Sequence, residues 1–244
     1  MADRTAGGAR TKREDPPQHL QRELRRLNSL VEKGDPLWPA QVAVAIAIGL
    51  HLALSDKLVV GPTWLIPSVE GVLLVTLVVI APPRVSGGRW RHQRGLLWTI
   101  LGLVTATYLV SLGLLVHYLV TGGKVGGHPL IGSGVVLWVT NVLLFSVVYW
   151  DLDRGGPLNR YEKERPWPDF QFPQMENPEL TPLGTNWQPT FLDYLYTSLT
   201  NATAFSPTDT LPLTQTAKLL MGIQGTAAIV TLGLVVARAV NILG

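Results

Sequence analysis

The sequence predicts an all-α membrane protein with five transmembrane helices and a short re-entrant, pore-helix-like segment before the last helix. Of its 244 residues, 47% are hydrophobic and 15% are charged, and this charged share is well below the roughly 25% of soluble domains. Five stretches are apolar over the roughly 17–25 residues that a helix needs to cross a bilayer. A sixth stretch, just before the last of these, has a helical pattern but is too short to cross.

The residues before the first apolar stretch divide into two parts. Residues 1–17 are polar and charged, and we expect a disordered tail there, with no cleavable signal peptide. Residues 18–37 are predicted to contain an amphipathic helix, because four apolar residues recur at helical spacing. This helix would lie either in the lipid headgroups or in water against the protein's own loops. The four apolar residues are Leu20, Leu24, Leu27 and Val31.

Residues 38–150 are predicted to form a four-helix membrane region, and a fifth transmembrane helix ends the chain. Pro82 and Pro83 end the second helix because proline cannot donate a backbone hydrogen bond. Tryptophans near the helix ends fit an interfacial aromatic belt. The predicted transmembrane helices cover residues 38–55, 64–81, 96–120, 130–150 and 217–243.

The basic residues predict the orientation. The link between the second and third helices carries Arg84, Arg89, Arg91 and Arg94 and no acidic residue. Positively charged links stay in the cytoplasm, so this link and the N-terminus are predicted to lie inside. With five crossings, the C-terminus is then outside.

Residues 151–189 are predicted to form a proline-rich cytoplasmic flap. Proline favours disorder, yet Trp167, Phe170, Phe172 and Trp187 are too apolar for a solvated linker. We therefore expect an extended, partly ordered segment lying over the membrane region.

Residues 190–244 are predicted to form a pore-loop-like hairpin of a short helix, a polar turn and the last transmembrane helix. Thr190 and Asp193 have the spacing of a capping box at the start of the short helix. Thr214 is placed to begin the last helix. Irregular backbone at membrane depth requires cover from protein or from a water-filled cavity, so the turn is either a working site or an elbow at the membrane surface.

The hairpin resembles the pore domain of potassium channels in the order of its elements and in Asp209, Pro212 and Thr214. The filter itself is degenerate, because Ser206 and Thr208 stand where glycines let carbonyl oxygens line the axis. Channel filters also face outward, whereas the basic residues predict that this turn is inside. The pattern argues against a potassium-selective filter.

The C-terminal half also resembles a widespread, uncharacterised family of bacterial integral membrane proteins. The resemblance rests on Asp153-Arg-Gly-Gly-Pro157, on Phe172-Pro-Gln-Met175 and on the block Thr200-Asn-Ala-Thr-Ala-Phe-Ser-Pro-Thr-Asp209. It implies a membrane protein with a pore-domain-like hairpin, located in the bacterial cytoplasmic (inner) membrane, and it implies no particular substrate.

The polar turn carries the first candidate site, which would line a pore or bind a ligand. Its hydroxyl, amide and carboxylate oxygens suit a monovalent or divalent cation, a proton path or a phosphate-bearing ligand. Because one hairpin cannot enclose a pore, this hypothesis predicts a homo-oligomer in the lipid bilayer. The alternative is that Ser206 and Asp209 only cap the last helix. The candidate residues are Thr200, Asn201, Thr203, Ser206, Thr208 and Asp209.

A second, intramembrane candidate consists of His51, Glu70 and His117, which the predicted topology places in the same leaflet. Ionisable residues within apolar spans often serve function, and such a set could bind a proton or a divalent metal. Alternatively, His117 lies in the headgroups and Glu70 only complements the helix dipole.

The sequence offers few features of an enzyme. It contains no cysteine, which excludes disulfides and thiolate chemistry, and no nucleophile set, zinc pattern or phosphate loop is found. We expect no cofactor, no metal centre and no nucleic-acid partner. Three hypotheses follow: a channel-like or carrier-like cation-handling protein, a non-conducting scaffold or partner subunit, and, least supported, a lipid-acting enzyme.

Overall fold

The computed structural model describes residues 36–80, 90–121, 127–157, 160, 167–181, 183–184, 187–203 and 209–243. Its described helices are α1 Trp38–His51, α2 Leu65–Ile80, α3 Trp90–Thr121, α4 Gly127–Leu152, α5 Pro173–Glu176, α6 Phe191–Thr203 and α7 Gln215–Leu243. Three 3₁₀ helices cover Asp56–Leu58, Asp153–Gly155 and Pro178–Leu180. The predicted tail and amphipathic helix, residues 1–17 and 18–37, lie outside the described residues except for residues 36 and 37.

Among the described helices, three are long and apolar enough to cross a membrane, which indicates a membrane location. The candidate spans are Arg94–Thr121, Pro129–Gly155 and Gln215–Val240. The helices α1 and α2 have 14 and 16 residues, or about 21 and 24 Å at 1.5 Å per residue. They are therefore apolar but shorter than a hydrocarbon core of about 30 Å. Five spans were predicted, and three have the full length.

Two helix ends differ from the predicted ones by four residues or more. Helix α1 ends at His51 rather than at Ser55. The chain after it forms a tighter, 3₁₀-type turn, in which the amide of Ala53 donates to the carbonyl of Leu50, three residues back, at 3.0 Å. Helix α3 begins at Trp90, six residues before the predicted start at residue 96. Arg94 therefore belongs to a helix, and it pairs with the buried Asp151 at 3.0 Å from Nε to Oδ2.

Helix α4 is at the centre of the fold. It packs against α1, α3, α6 and α7, and it is the most buried of the three long helices, whereas α7 is the least buried. Tyr149 and Trp150 near its C-terminal end are fully buried. A two-stranded antiparallel sheet, β1 Phe170–Gln171 with β2 Leu211–Pro212, joins the segment after α4 to the start of α7.

The helices α4 and α7 approach closely at Gly134. A Cβ atom there would collide with Cγ2 of Val235, a side chain that branches next to the backbone and cannot easily move away. At Gly132, on the same helix, an added Cβ would meet nothing within 4 Å. The glycine at position 134 therefore sets the distance between these two helices.

We expect Gly134→Ala to destabilise the fold by about 1–3 kcal/mol, the usual penalty of overpacking. Gly132→Ala is the control and should be neutral or slightly stabilising, because alanine favours helix where nothing is hit. Melting temperatures in detergent measure both. The double variant Gly134→Ala with Val235→Ala should recover most of the loss. If it does not, the close approach is not the cause.

Candidate functional site

Helix α6 lies alongside α4 and runs in the opposite direction. The Ser198 hydroxyl donates to the carbonyl of Val142 at 2.7 Å, and further along, the indole Nε1 of Trp138 donates to the carbonyl of Ala202 at 3.4 Å. Trp138 lies 13 residues before Asp151, or about 20 Å along α4 at 1.5 Å per residue. The short helix therefore extends past the middle of the long one.

After α6 the chain returns toward the end of α4 from which α6 began. The Thr197 hydroxyl bonds to that of Thr210 at 3.2 Å, beside the first half of α6. Leu213 then donates its amide to the carbonyl of Asp169 at 2.8 Å. Residues 204–208, between the two arms, lie outside the described residues. The described arms thus have the geometry of a helix running one way and an extended segment running back.

A buried polar network fixes α6 to α4 and α7. Gln224 is fully buried on α7. Its Oε1 accepts from the Tyr149 hydroxyl at 2.5 Å and from Asn201 Nδ2 at 2.8 Å, and its Nε2 donates to Ser198 Oγ at 2.7 Å and to the Ser198 carbonyl at 3.0 Å. Asn201 Nδ2 also donates to the carbonyl of Met221 at 2.9 Å. Three helices are thereby joined through one glutamine.

A second network centres on Asp153, just after α4. Its Oδ2 accepts from the Tyr194 hydroxyl at 2.6 Å, and its Oδ1 accepts from the amides of Asp169 at 2.7 Å and Phe170 at 3.3 Å. Arg160 Nε lies 3.8 Å from Oδ2, and both side chains are fully buried. One carboxylate thus holds α6 and strand β1 against the end of α4.

The backbone conformation just after Asp153 explains why two glycines follow it in the sequence. Arg154, Gly155 and Gly156 have φ of +53°, +78° and +103° in succession. Glycine adopts such values without a steric penalty, whereas a residue with a Cβ rarely does. The Arg154 amide then donates to Asp169 Oδ2 at 3.0 Å. The Asp-Arg-Gly-Gly sequence therefore forms a tight turn that brings the two aspartates together.

The predicted caps of the two hairpin helices are confirmed. Asp193 Oδ2 accepts from the Thr190 amide at 2.7 Å and from its hydroxyl at 2.8 Å, at the start of α6. At the start of α7, Thr214 Oγ1 accepts from the Ala217 amide at 3.3 Å. The same Thr214 hydroxyl donates to Asp169 Oδ1 at 2.8 Å, which links this cap to the Asp153 network.

The described residues of the first candidate site fall into different environments. Thr200 and Thr203 donate their hydroxyl protons to carbonyls of their own helix, at 2.8 Å each. Asn201 belongs to the Gln224 network, and Asp209 is exposed. The predictions for Ser206 and Thr208 lie outside the described residues. Four of the six are described, and they form no common ligand cluster.

Two residues of the second candidate site do meet. His51 Nδ1 lies 3.7 Å from Glu70 Oε2, and both side chains are buried between α1, α2 and α3. His117 is exposed on α3, ten residues beyond Thr107, which contacts Glu70 at 3.4 Å, or about 15 Å along the helix. The predicted triad is therefore a pair. No group of three or more His, Asp or Glu side chains able to hold a metal ion is found within the described residues.

Sequence reasoning did not single out Gln224, Tyr149 or Tyr194 as candidates. A glutamine within an otherwise apolar span was the available signal, because a buried amide requires partners. The partners themselves are 75 and 23 residues away along the chain, at Tyr149 and Asn201. The spacing of residues along the chain does not reveal such contacts.

Comparison of the chain with protein-family models, with curated proteins and with solved structures finds no match.

Proposed function

We propose that this protein is a polytopic inner-membrane protein that handles a cation, as a channel or a carrier, through a re-entrant hairpin. The hairpin consists of α6, the returning segment 209–214 and the first half of α7. In this proposal α1 and α2 also cross the bilayer. The bilayer then thins locally around these two short helices, or additional residues extend them. The N-terminus is inside and the C-terminus is outside.

The proposal rests on how far α6 extends beside α4. If α4 crosses the bilayer, the last residues of α6, level with Trp138, lie beyond the middle of a hydrocarbon core about 30 Å thick. Polar backbone at that depth must be covered by protein or by water. Thr203 and Asp209, which flank the turn, are both exposed on this chain. A second copy of the chain or an aqueous cavity would supply the cover.

The two polar networks support the proposal by keeping the hairpin rigid. A cation site must hold its oxygen atoms in place while ions exchange, and rigid helices do so better than loops. Gln224 and Asp153 fasten the two ends of α6. The oxygens of Thr203 and Asp209 would then face a shared axis between copies.

Cation flux into liposomes tests the proposal directly. Vesicles containing the full chain are loaded with indicators for K⁺, Na⁺ and Mg²⁺ in turn, and at least one flux should exceed that of protein-free vesicles. Asp209→Asn should lower that flux several-fold, because it removes the one carboxylate of the turn. Wild-type flux equal to the protein-free value for every ion would refute the proposal.

Oligomerisation about the hairpin is tested by cross-linking. The chain has no cysteine, so single cysteine variants report cleanly. Thr203→Cys should cross-link between copies in membranes, whereas Ala202→Cys, at a fully buried position, should not. Equal behaviour of the two variants would contradict a shared axis.

A non-conducting scaffold is a second candidate, and one observation favours it. Trp167 is 82% exposed beside the ordered segment that β1 ties to α7, and exposed tryptophan is frequent in protein interfaces. Asn201, which was predicted to bind a ligand, also donates a hydrogen bond that holds α6 against α7. A scaffold predicts no flux and a protein partner whose binding Trp167→Ala abolishes while the melting temperature is unchanged.

A further inference from the structure

Glu70 is a buried carboxylate without a strong hydrogen-bond donor. Its residue is 0% exposed. Oε2 has no hydrogen-bond partner among the described residues, and His51 Nδ1, at 3.7 Å, is beyond hydrogen-bonding distance. The Thr107 hydroxyl is 3.4 Å from Oε1 but lies closer to the Val104 carbonyl of its own helix, at 3.0 Å. Burying a bare carboxylate is costly, so this arrangement favours a bound positive charge.

A small cavity lies against Glu70 between α1, α2, α3 and α4. Its volume is about 10 Å³, close to the minimum that holds one water molecule. Its polar lining suits water, since a buried water needs two to four polar partners. The polar residues of the lining are His51, Glu70, Thr107, Tyr108, Ser111 and Thr140.

A second, larger cavity lies beside this region and is lined mostly by apolar side chains. Its volume is about 220 Å³, and it shares His51, Thr107 and Ser111 with the small cavity. Its wall includes Val60, which is 65% exposed in the link between α1 and α2. The same link carries Asp56 and Lys57, both exposed. The cavity therefore reaches the surface at Val60, in a link that also carries charged residues, and His51 belongs to its lining.

We propose that His51 and Glu70 form a proton-binding site that is loaded through this larger cavity. A hydronium ion that enters through the larger cavity protonates Nε2 of His51 and is left as water. The proton on Nδ1 then passes through a water molecule in the small cavity to Glu70 Oε2, since 3.7 Å is too long for a direct transfer. The imidazole returns to its neutral form, and the carboxylate becomes a carboxylic acid. Histidine is suited to this relay because each of its nitrogens can take up or release a proton.

A proton fits the site better than a metal ion. Only one carboxylate and one imidazole meet there, and a divalent cation requires more ligands than these two. The other ionisable groups nearby are Tyr108, from α3, and the exposed Asp56 and Lys57 of the link. Helix α4 contributes the hydroxyl of Thr140 and no ionisable group to the cavity lining. The site is separate from the hairpin and does not depend on its function.

Infrared spectroscopy of the full chain in lipid tests for the bound proton. As the pH is lowered, the wild-type protein should gain C=O stretches of buried carboxylic acids, Asp151 among them, and Glu70→Gln should lack one component of these. Glu179→Gln, which removes an exposed acid, should retain it. Identical difference spectra for wild type and Glu70→Gln would overturn the proposal.

The route is tested by hydrogen–deuterium exchange of the same acid. Val60→Trp fills the mouth of the larger cavity and should slow the D₂O-induced shift of the Glu70 component several-fold. Val72→Trp is the control, since Val72 is similarly exposed, at 66%, but does not line the cavity. Equal exchange in the two variants would show that the proton enters elsewhere. Because neither measurement depends on ion flux, this proposal and the hairpin proposal can fail separately.

Discussion

Replacing Asp153 with alanine should lower the stability of the fold by about 3–5 kcal/mol, the usual result of removing one partner of a buried ion pair. The variant leaves the Arg160 guanidinium without its carboxylate and the Tyr194 hydroxyl and Asp169 amide without their acceptor. Melting temperatures in detergent should fall by about 6–20 °C for a chain of this size. The loss should exceed that of any single cap, which is worth roughly 1 kcal/mol.

Two further variants show how much of this loss depends on the negative charge of Asp153 and how little an exposed aspartate contributes. Asp153→Asn keeps one acceptor oxygen for the two backbone amides but loses the negative charge and the second acceptor oxygen, which the Tyr194 hydroxyl uses, so its loss should be intermediate. Asp56→Ala removes an exposed aspartate and should change stability by less than about 0.5 kcal/mol. If Asp153→Ala melts at the temperature of Asp56→Ala, the network around Asp153 does not support the hairpin.

Much of this region follows from local sequence. The caps at Thr190 and Thr214 were predicted because capping depends on residues three or four positions apart. Residues 151–189 were predicted to be too apolar for a solvated linker, and Phe170 and Phe172 of this segment are buried. Trp167 of the same segment is 82% exposed, since apolar character alone does not determine which side chains of an irregular segment find a neighbour.

The contacts of the predicted site residues were harder to predict, because their partners include residues far away in the sequence. Thr200 and Asn201 carry ligand-type oxygens, yet the helix carbonyl of Tyr196 and the distant Gln224 take up their donors. In the second site, His51 and Glu70 were predicted to meet and do so, whereas His117 is too far along its helix. The depth of a residue in the membrane can be estimated from its position along a span. The helix face on which the residue lies, and the helix that it contacts, cannot be estimated in this way.

Gln224→Leu should undock α6 from its two neighbours. The substitution keeps the approximate volume but removes four hydrogen bonds, to Tyr149, to Asn201 and two to Ser198. At roughly 0.6 kcal/mol for each polar contact between membrane helices, the loss is about 2 kcal/mol. That corresponds to a roughly 30-fold rise in the population of molecules in which α6 is undocked. Gln215→Leu, at the exposed first residue of the same helix, should leave docking unchanged.

Cysteine labelling measures the undocking position by position, since the native chain contributes no thiol. A thiol introduced at Ala202, which is fully buried, should react slowly in the otherwise native chain and more than tenfold faster with Gln224→Leu. A thiol at the neighbouring, exposed Thr203 should react at one rate in both backgrounds, which controls for reagent access and for overall unfolding. If labelling at position 202 stays slow in the leucine variant, helix packing alone holds α6. The buried glutamine would then select the register of the three helices rather than stabilise their contact, because an amide placed against the wrong turn would lose its partners.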